Sequence, residues 1–450
     1  MDVPEAIISS TFNRFVPRIK RGYFMNKKIL VILSWLLLPS AFYGQDTLTV
    51  LQYNILNYGY FSSYCPENVN SPALKDGYIK TIAGYIKPDI FTVVEMGQWQ
   101  KYHNEVLDNC LNVNGVSKYK RAVISNTAGS SLVNMLYYNS DKLALKGVKV
   151  LQNLVRDIDL FQLYYKDEGL SQGDTIWINC IVAHLKAGSG YYNEVDRESM
   201  VQNALSTLRN YYSPSNYLFM GDFNLYGSYE GAWTKLTTAF APDWAFNDPI
   251  NRVGDWSNNS SFSDVHSQST HTDGGCFSSG GGDDRFDFIL ATSPIIDGSE
   301  KVKYIPGSYR TIGQDGLHFN RSLIDIPMNT TVPSDVLLSL YNNSDHMPVS
   351  LKLKISTVTG IDAHNTISDM AVEQHQDGPV RVKLNLATPQ KVVAECFSID
   401  GRVLDRKVIE AQQSIVNFEF ASFRIVPGVV IVKITPYGGS PVSKKVFVGF

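Results

Sequence analysis

Asp222 and Asn224 stand two apart in the stretch YLFMGDFNLY, just where the apolar run Tyr217 to Met220 stops. In a strand that continues past its buried part, residues i and i+2 point to the same side. A carboxylate and a carboxamide would then face one spot, a pairing that suits a water, a hard cation or a phosphate oxygen. Five other segments also place polar residues where an apolar run gives out. Asn54 interrupts LQYNIL, Glu95 ends FTVVE, and His184 and Lys186 close IVAHLK. Asp287 lies inside RFDFIL with Phe on both sides, and Asp345-His346 come directly before MPVSL.

Each of these has an ordinary structural reading when taken singly. Asn54 fits a bulge or turn, Glu95 a surface carboxylate at a strand exit, and His184 a satisfied, partly buried histidine. The Ser-Asp-His triplet fits a cap or turn. Asp287 is the exception, because a carboxylate between aromatics needs a partner. Together the ordinary readings require six unrelated coincidences at strand ends. One chemistry uses all of them: hydrolysis of a phosphodiester or phosphomonoester. Charge builds on the non-bridging oxygens and an alkoxide must leave, so carboxylates that hold a divalent cation lower the barrier. Imidazoles oriented by carboxylates donate to the phosphoryl group or move protons.

The elements that would position these groups alternate short β runs with helices. LTVLQYNIL (48–56), IFTVVE (90–95), SLVNMLYYN (131–139), TIWINCIVAHLK (175–186), RFDFILAT (285–292) and MPVSLKLKI (347–355) read as strands, and KRAVISN (120–126) as a hairpin partner of 131–139. Residues 76–87 place Ile79, Ile82, Ala83 and Ile86 on one helical face. A second helix runs from about Val195 to Tyr212 with Val201, Ala204, Leu205, Leu208 and Tyr211 inward. Some strands are separated by helices and others sit in hairpins, which points to stacked sheets with helices outside. SSGGGDD (278–284) reads as a mobile surface loop.

The chain has 450 residues, enough for two domains, and is 44% apolar. Residues 46–355 carry 24 Lys and Arg against 32 Asp and Glu. That excess argues against a general polyanion-binding surface and fits a site that recruits cations. Residues 1–44 read as an extension plus a signal peptide. Met25 is the natural start, Lys27-Lys28 the charged region, Ile29–Leu38 the apolar core, and cleavage falls before Gln45. The apolar core is too short for a comfortable span, so no membrane span is expected after cleavage. The five Cys show no metal-type spacing. Cys180 reads as core, and Cys65 and Cys276 as the better candidates for pairing.

Segments QYNIL, PDIFTVVE, VAHLK, GDFN, RFDFIL and SDHMPV, in this order across Thr47–Ile355, resemble the motifs of the endonuclease/exonuclease/phosphatase superfamily, the group of pancreatic-type deoxyribonuclease. The resemblance implies a four-layer α/β sandwich with two packed, mainly antiparallel sheets flanked by helices. It implies a divalent metal, Mg²⁺ with Mn²⁺ or Ca²⁺ as substitutes, on Glu95 helped by Asn54 and Asp345. It places Asp222 on the attacking water, Asn224 beside it, His346 on the phosphate with Asp287 as its carboxylate partner, and His184 as the second imidazole. Lys186 and Arg197 are candidate phosphate contacts. Nucleic acid is the implied substrate, handled by a monomer.

Residues 356–378 read as a linker, and 379–450 as a small β-sandwich of short, evenly spaced strands. DGRVL (400–404), PGVVIVKI (427–434) and the final KKVFVGF resemble the C-terminal sorting domain of the Bacteroidetes type IX secretion route. That resemblance implies export from a Gram-negative cell and contact with that secretion machinery. Two other functions compete with a secreted nuclease. One is a phosphodiesterase or phosphatase acting on lipid head groups or small phosphate esters. The other is a surface binding protein without chemistry, against which stands the full set of catalytic residue types.

Overall fold

The computed structural model describes residues 44–167, 170, 175–357, 367–374, 379–399, 401–421, 428–436 and 441–448. The leader with Met25 and Lys27-Lys28 lies outside the described residues, as do Asp400 and Pro427 of the C-terminal motifs. In chain order the first part runs β1 (Gly44–Tyr58), α1 (Pro72–Ile86), β2 (Ile90–Gly97), α2 (Gln100–Glu105), β3 (Tyr119–Arg121), β4 (Leu132–Asn139) and β5 (Leu143–Gln152). It continues with β6 (Ile158–Tyr165), β7 (Trp177–His184), α3 (Tyr191–Tyr211), β8 (Tyr217–Asp222), α4 (Gly231–Thr238), β9 (Phe246–Asn247) and β10 (Asp287–Thr292). It closes with α5 (Ser293–Asp297), β11 (Val302–Tyr304), β12 (Arg310–Thr311), α6 (Ser334–Asn343) and β13 (Val349–Thr357).

Among the described residues these strands form two sheets. One has the order β11-β13-β1-β2-β4-β3, with β12 also on β13, and the other β5-β6-β7-β8-β10-β9. Each is antiparallel except for one central parallel pair, β1·β2 and β7·β8. The second sheet is buried on both faces, and its side chains alternate between two cores as the strand period demands. Cys180, Val182, Leu218, Met220 and Ile289 enter the core shared with the first sheet. Ile181, Ala183, Phe219, Phe288 and Leu290 enter the core under α3 and α4. On the far side α1 and α6 supply Ile79, Ile82, Ala83, Val336, Leu337 and Leu340 to the first core. The result is the expected four layers of helix, sheet, sheet and helix.

Several details differ from expectation. α1 starts four residues early because Ser71 caps it, its Oγ accepting from Leu74 N at 3.4 Å, with Pro72 in the first turn. Tyr211 is 79% exposed rather than inward, so the buried stripe of α3 ends at Leu208. Residues 120–126 yield only the three-residue β3, while the β5–β6 hairpin adds two strands to the second sheet. SSGGGDD is only partly a surface loop: Ser278 to Gly280 are exposed, whereas Gly281 N donates to His271 O and Gly282 N to Arg321 O, and both glycines are buried.

The C-terminal part forms β14 (Ile367–Gln374), β15 (Val380–Leu386), β16 (Lys391–Ser398), β17 (Val403–Glu410), β18 (Ile415–Phe420), β19 (Gly428–Pro436) and β20 (Val442–Val448). They make a β14-β15-β18 sheet and a β17-β16-β19-β20 sheet over one core containing Val382, Leu384, Cys396, Val432 and Ile434. β14 falls within the stretch read as a linker. Its polar surface hides two core residues, Ile367 and Met370, at 4% and 5% exposure. Among the described residues no helix is long and apolar enough to cross a membrane.

The parallel β7·β8 contact is unusually close at one point. Gly221 has φ +146°, and a Cβ there would lie 1.8 Å from Ala183 O. Gly221→Ala should therefore force the two strands apart. We expect a loss of at least about 2 kcal/mol in urea unfolding, from backbone strain plus disrupted packing. An unchanged midpoint would show that this approach is not a constraint.

Candidate active site

Strand register builds one wall of the site. Asp222 is the Cα partner of His184 on β7 and of Asp287 on β10. Residues paired across neighbouring strands project to the same face, so the three side chains emerge side by side at the end of the second sheet. The inward face of β8 runs Leu218, Met220, Asp222. That is the strand alternation expected from the sequence. Asp222, Asp287 and His184 are 2%, 0% and 4% exposed.

The first sheet builds the facing wall. Gln52 and Thr92 face the second sheet, with Thr92 Oγ1 2.6 Å from Gln52 Oε1 and 3.1 Å from Met220 Sδ. Asn54 follows Gln52 by two and meets Asp222 across the gap, Nδ2 donating to Oδ2 at 2.9 Å. It also donates to Glu95 Oε1 at 3.0 Å and lies 3.3 Å from His346 Nε2. Glu95 sits at φ +61° where the β2 register shifts. A non-glycine residue held there is a local irregularity tied to a site. Its other oxygen accepts from Asn57 N at 3.0 Å.

The Ser-Asp-His segment closes the cluster. Ser344 Oγ donates to Asn54 O at 2.7 Å and accepts from His346 N at 3.1 Å. His346 Nδ1 is 2.7 Å from Asp287 Oδ2, and its Nε2 is 3.6 Å from Asp222 Oδ2. The expected His346–Asp287 pair is thus formed. Asn224, at φ +51°, donates its N–H to Asp222 Oδ1 at 3.0 Å and its amide to Leu185 O at 3.4 Å. Asp345 accepts from Ser278 N at 2.8 Å through Oδ2, while its buried Oδ1 has no hydrogen-bond partner.

Electrostatics follow from this crowding. Burial, then the neighbouring Asp345, raises the Glu95 carboxyl above its ordinary range. Burial pushes Asp222 up to about 7, helped by Asp287 and Glu95 and opposed by His346. For His346 burial works against the charge, but Asp287 and Asp222 outweigh it and hold the imidazolium well above the usual histidine value. His184 goes the other way. Burial, Arg156 and His346 keep its ring neutral, and its Nδ1 is buried without a partner. The two histidines therefore differ in kind: a charged donor and a neutral base or ligand.

These donors fit a hard divalent cation. Glu95, His184 and Asp222 each offer an atom, all within 4.8 Å of one another. The resemblance named Glu95, Asn54 and Asp345 instead; Asp345 is outside this close triad, and its buried Oδ1 has no hydrogen-bond partner. Glu95 is common to both sets. A cation would offset the burial and carboxylate repulsion that together raise Glu95 and Asp222.

One of the two expected phosphate contacts is turned away from the cluster. Arg197 is fully buried, its Nε 2.7 Å from Glu230 Oε2 and its Nη1 on the carbonyls of Lys186 and Gly188. It ties α3 to the chain following β7 and does not face the cluster. Lys186 Nζ donates to Ala187 O at 3.0 Å. A nearby cation is Arg156, whose charge acts on Glu95 and Asp222 while its Nη1 holds Leu185 O at 3.0 Å. Sequence reasoning missed Arg156 because it lies between two unrecognised strands. It also missed Ser267, whose Oγ donates to Asp287 Oδ2 at 2.8 Å, and Gln268, whose Nε2 is 2.7 Å from His346 Nε2.

No protein-family model and no curated protein matches the sequence. Solved structures do match over most of their length. The chain is 12% identical to an endonuclease/exonuclease/phosphatase from Beutenbergia cavernae, covering 89% of this chain and 100% of that one with a TM-score of 0.40. It is 14% identical to an endonuclease/exonuclease/phosphatase from Bacteroides vulgatus (69% and 100% covered, TM-score 0.41). It is 12% identical to D. rerio TDP2 complexed with a single-strand DNA product (68% and 99% covered, TM-score 0.42).

The Cys65–Cys276 disulfide, between the residues singled out for pairing, spans 211 positions. It ties the loop after β1 to the segment whose Ser278 N–H holds Asp345. Chain entropy gives such a closure about 5 kcal/mol. Cys65→Ser/Cys276→Ser should lower the thermal midpoint by several degrees and weaken divalent-metal binding by calorimetry. Equal midpoints and equal binding in the two proteins would show that the bridge supports neither.

Proposed function

We propose that this protein is a divalent-metal-dependent phosphodiester hydrolase acting on nucleic acid, exported from the cell with its C-terminal strands serving the type IX secretion machinery. The observation that carries the hydrolase reading is the convergence of Glu95, Asn54, His184, Asp222, Asp287, Asp345 and His346 from six segments, supported by the order of their sequence motifs. The export reading rests on the leader and the C-terminal motifs of the sequence.

The metal, held by Glu95 with Asp222, His184 and Asp345 as the available partners, would supply charge neutralisation at the phosphoryl and leaving oxygens. The chain's own groups do the rest. Asp222 accepts a proton from water and is aimed by Asn54 and by the Asn224 N–H. His346, kept charged by Asp287, donates through Nε2 to a phosphoryl oxygen. Ser267 fixes the Asp287 carboxylate, and thereby the ring.

One observation favours a second reading, hydrolysis of a phospholipid head group. Leu317, Ile326 and Met328 are 63%, 86% and 79% exposed on the loop following β12. That loop is bound to the site segment through Leu323 N to Thr270 O. The loop thus has an apolar tip of the kind that enters a lipid surface.

The test is purified protein against plasmid DNA, RNA, sphingomyelin vesicles and a phosphate monoester, each with Mg²⁺ and with chelator. Metal-dependent cleavage of nucleic acid is expected, and cleavage confined to vesicles would favour the second reading. Asp222→Ala and His346→Ala should each lower kcat by at least about 100-fold with the fold intact by circular dichroism. Wild-type turnover in either variant, or full activity in chelator, would remove the mechanism.

A further inference from the structure

Lys75 lies outside the constellation above, on the first turns of α1, and is 2% exposed. A buried ammonium requires partners, and each of its partners belongs to a segment that carries a site residue or supports one. Nζ donates to Leu56 O at 3.0 Å, to Asn70 Oδ1 at 2.9 Å, and to Asn343 O. Leu56 is two residues beyond Asn54, and Asn343 is two residues before Asp345. The Asn343 carbonyl is also at the C-terminal end of α6, where a positive charge is favoured by the helix dipole.

The first of these contacts holds backbone that would not hold itself. Leu56 and Asn57 have φ of +44° and +51°, a conformation that a leucine rarely adopts. Asn70 donates to both their carbonyls, at 3.2 and 3.1 Å, and Lys75 fixes Asn70 in turn. This turn presents Asn57 N to Glu95 and follows Asn54, which reaches Glu95, Asp222 and His346. Burial pushes the Lys75 amine down to about 7, opposed by the carboxylates of Asp345 and Glu95, and its three acceptor contacts call for the ammonium form.

We infer that Lys75 is a positioning residue for the metal site, a single ammonium that clamps the exit of β1 to the end of α6 and so sets Asn54 and Glu95 relative to Asp345. The inference rests on the hydrolase reading above. It separates Lys75 from a merely structural cap, which would stabilise the fold but leave the affinity of folded protein for metal unchanged. Loss of outer contacts of this kind typically lowers metal affinity 10- to 100-fold.

The experiment is Mn²⁺ binding to the full chain by calorimetry at 25 °C, for wild type, Lys75→Met and Lys75→Arg, with thermal midpoints recorded in parallel. Lys75→Met should raise the Mn²⁺ Kd at least about tenfold while folded, and Lys75→Arg should recover most of that loss. A Kd within twofold of wild type in folded Lys75→Met, whatever its midpoint, overturns the inference. If Lys75→Met does not fold, Asn70→Ala, which removes the linked contact, is measured instead. It should raise the Kd at least threefold, and a wild-type Kd there is equally fatal. Absence of Mn²⁺ binding by wild type would instead sink the metal-site reading itself, so the two failures are distinguishable.

Discussion

The structure depends most on the register of three neighbouring strands. β7, β8 and β10 bring His184, Asp222 and Asp287 to one level, and Gly221 lets β7 and β8 approach without a side chain between them. A slip by one residue would turn all the side chains of a strand to its opposite face. For β8 that would put Asp222 among Phe219, Phe223 and Phe288 in the second core, where a carboxylate has no partner. The level of these three side chains is therefore locked by the same alternation that fills the two cores. Chemistry and packing are set by one period-2 pattern.

A second constraint is charge. Four carboxylates, Glu95, Asp222, Asp287 and Asp345, share a small, largely buried volume. Such a group is tolerated only with compensating partners. The protein supplies an imidazolium at His346, amide donors from Asn54 to Asp222 and Glu95 and from Gln268 to Asp345, a backbone N–H from Ser278, and two basic side chains set back from the cluster, Lys75 and Arg156. The compensation is incomplete at Asp345 Oδ1, which has no partner, and at Asp222, whose carboxyl is held near neutrality. The site is thus short of positive charge in the place where a divalent cation would supply it.

The parts of the fold legible in the sequence were those with a clean periodic signal. β1, β2, β7, β8, β10 and β13 are apolar runs ending in polar residues, and each polar end named from the sequence at Asn54, Glu95, His184, Asp222, Asp287 and Asp345-His346 belongs to the cluster. Buried cations were not legible. Arg197 looks like a solvated phosphate-binding group by position, yet pairs with Glu230 beneath α3. Lys75 looks like an ordinary surface residue of an amphipathic helix. Hydrophobic periodicity assigns charges outward, and nothing local marks the few that turn inward to satisfy carbonyls. β5 also escaped, because Lys146 and Lys149 break its apolar run and Gly147 lies at a register shift with β6.

The segment from Ser267 to Ser278 shows why loops could not be read as mere connections. Its Gly- and Ser-rich sequence carries no period, but Ser267 holds Asp287, Gln268 reaches His346, and the Ser278 backbone holds Asp345. Gln268 also bridges in register to both Asp284 and His346. The same segment is bound through Thr270 to the loop bearing Ile326 and Met328. Displacement of that outer loop by a bound polymer or lipid surface would therefore act on the partners of His346 and Asp345, not only on affinity. In this architecture the strands set the geometry of the cluster, and one irregular segment couples it to the exposed apolar loop.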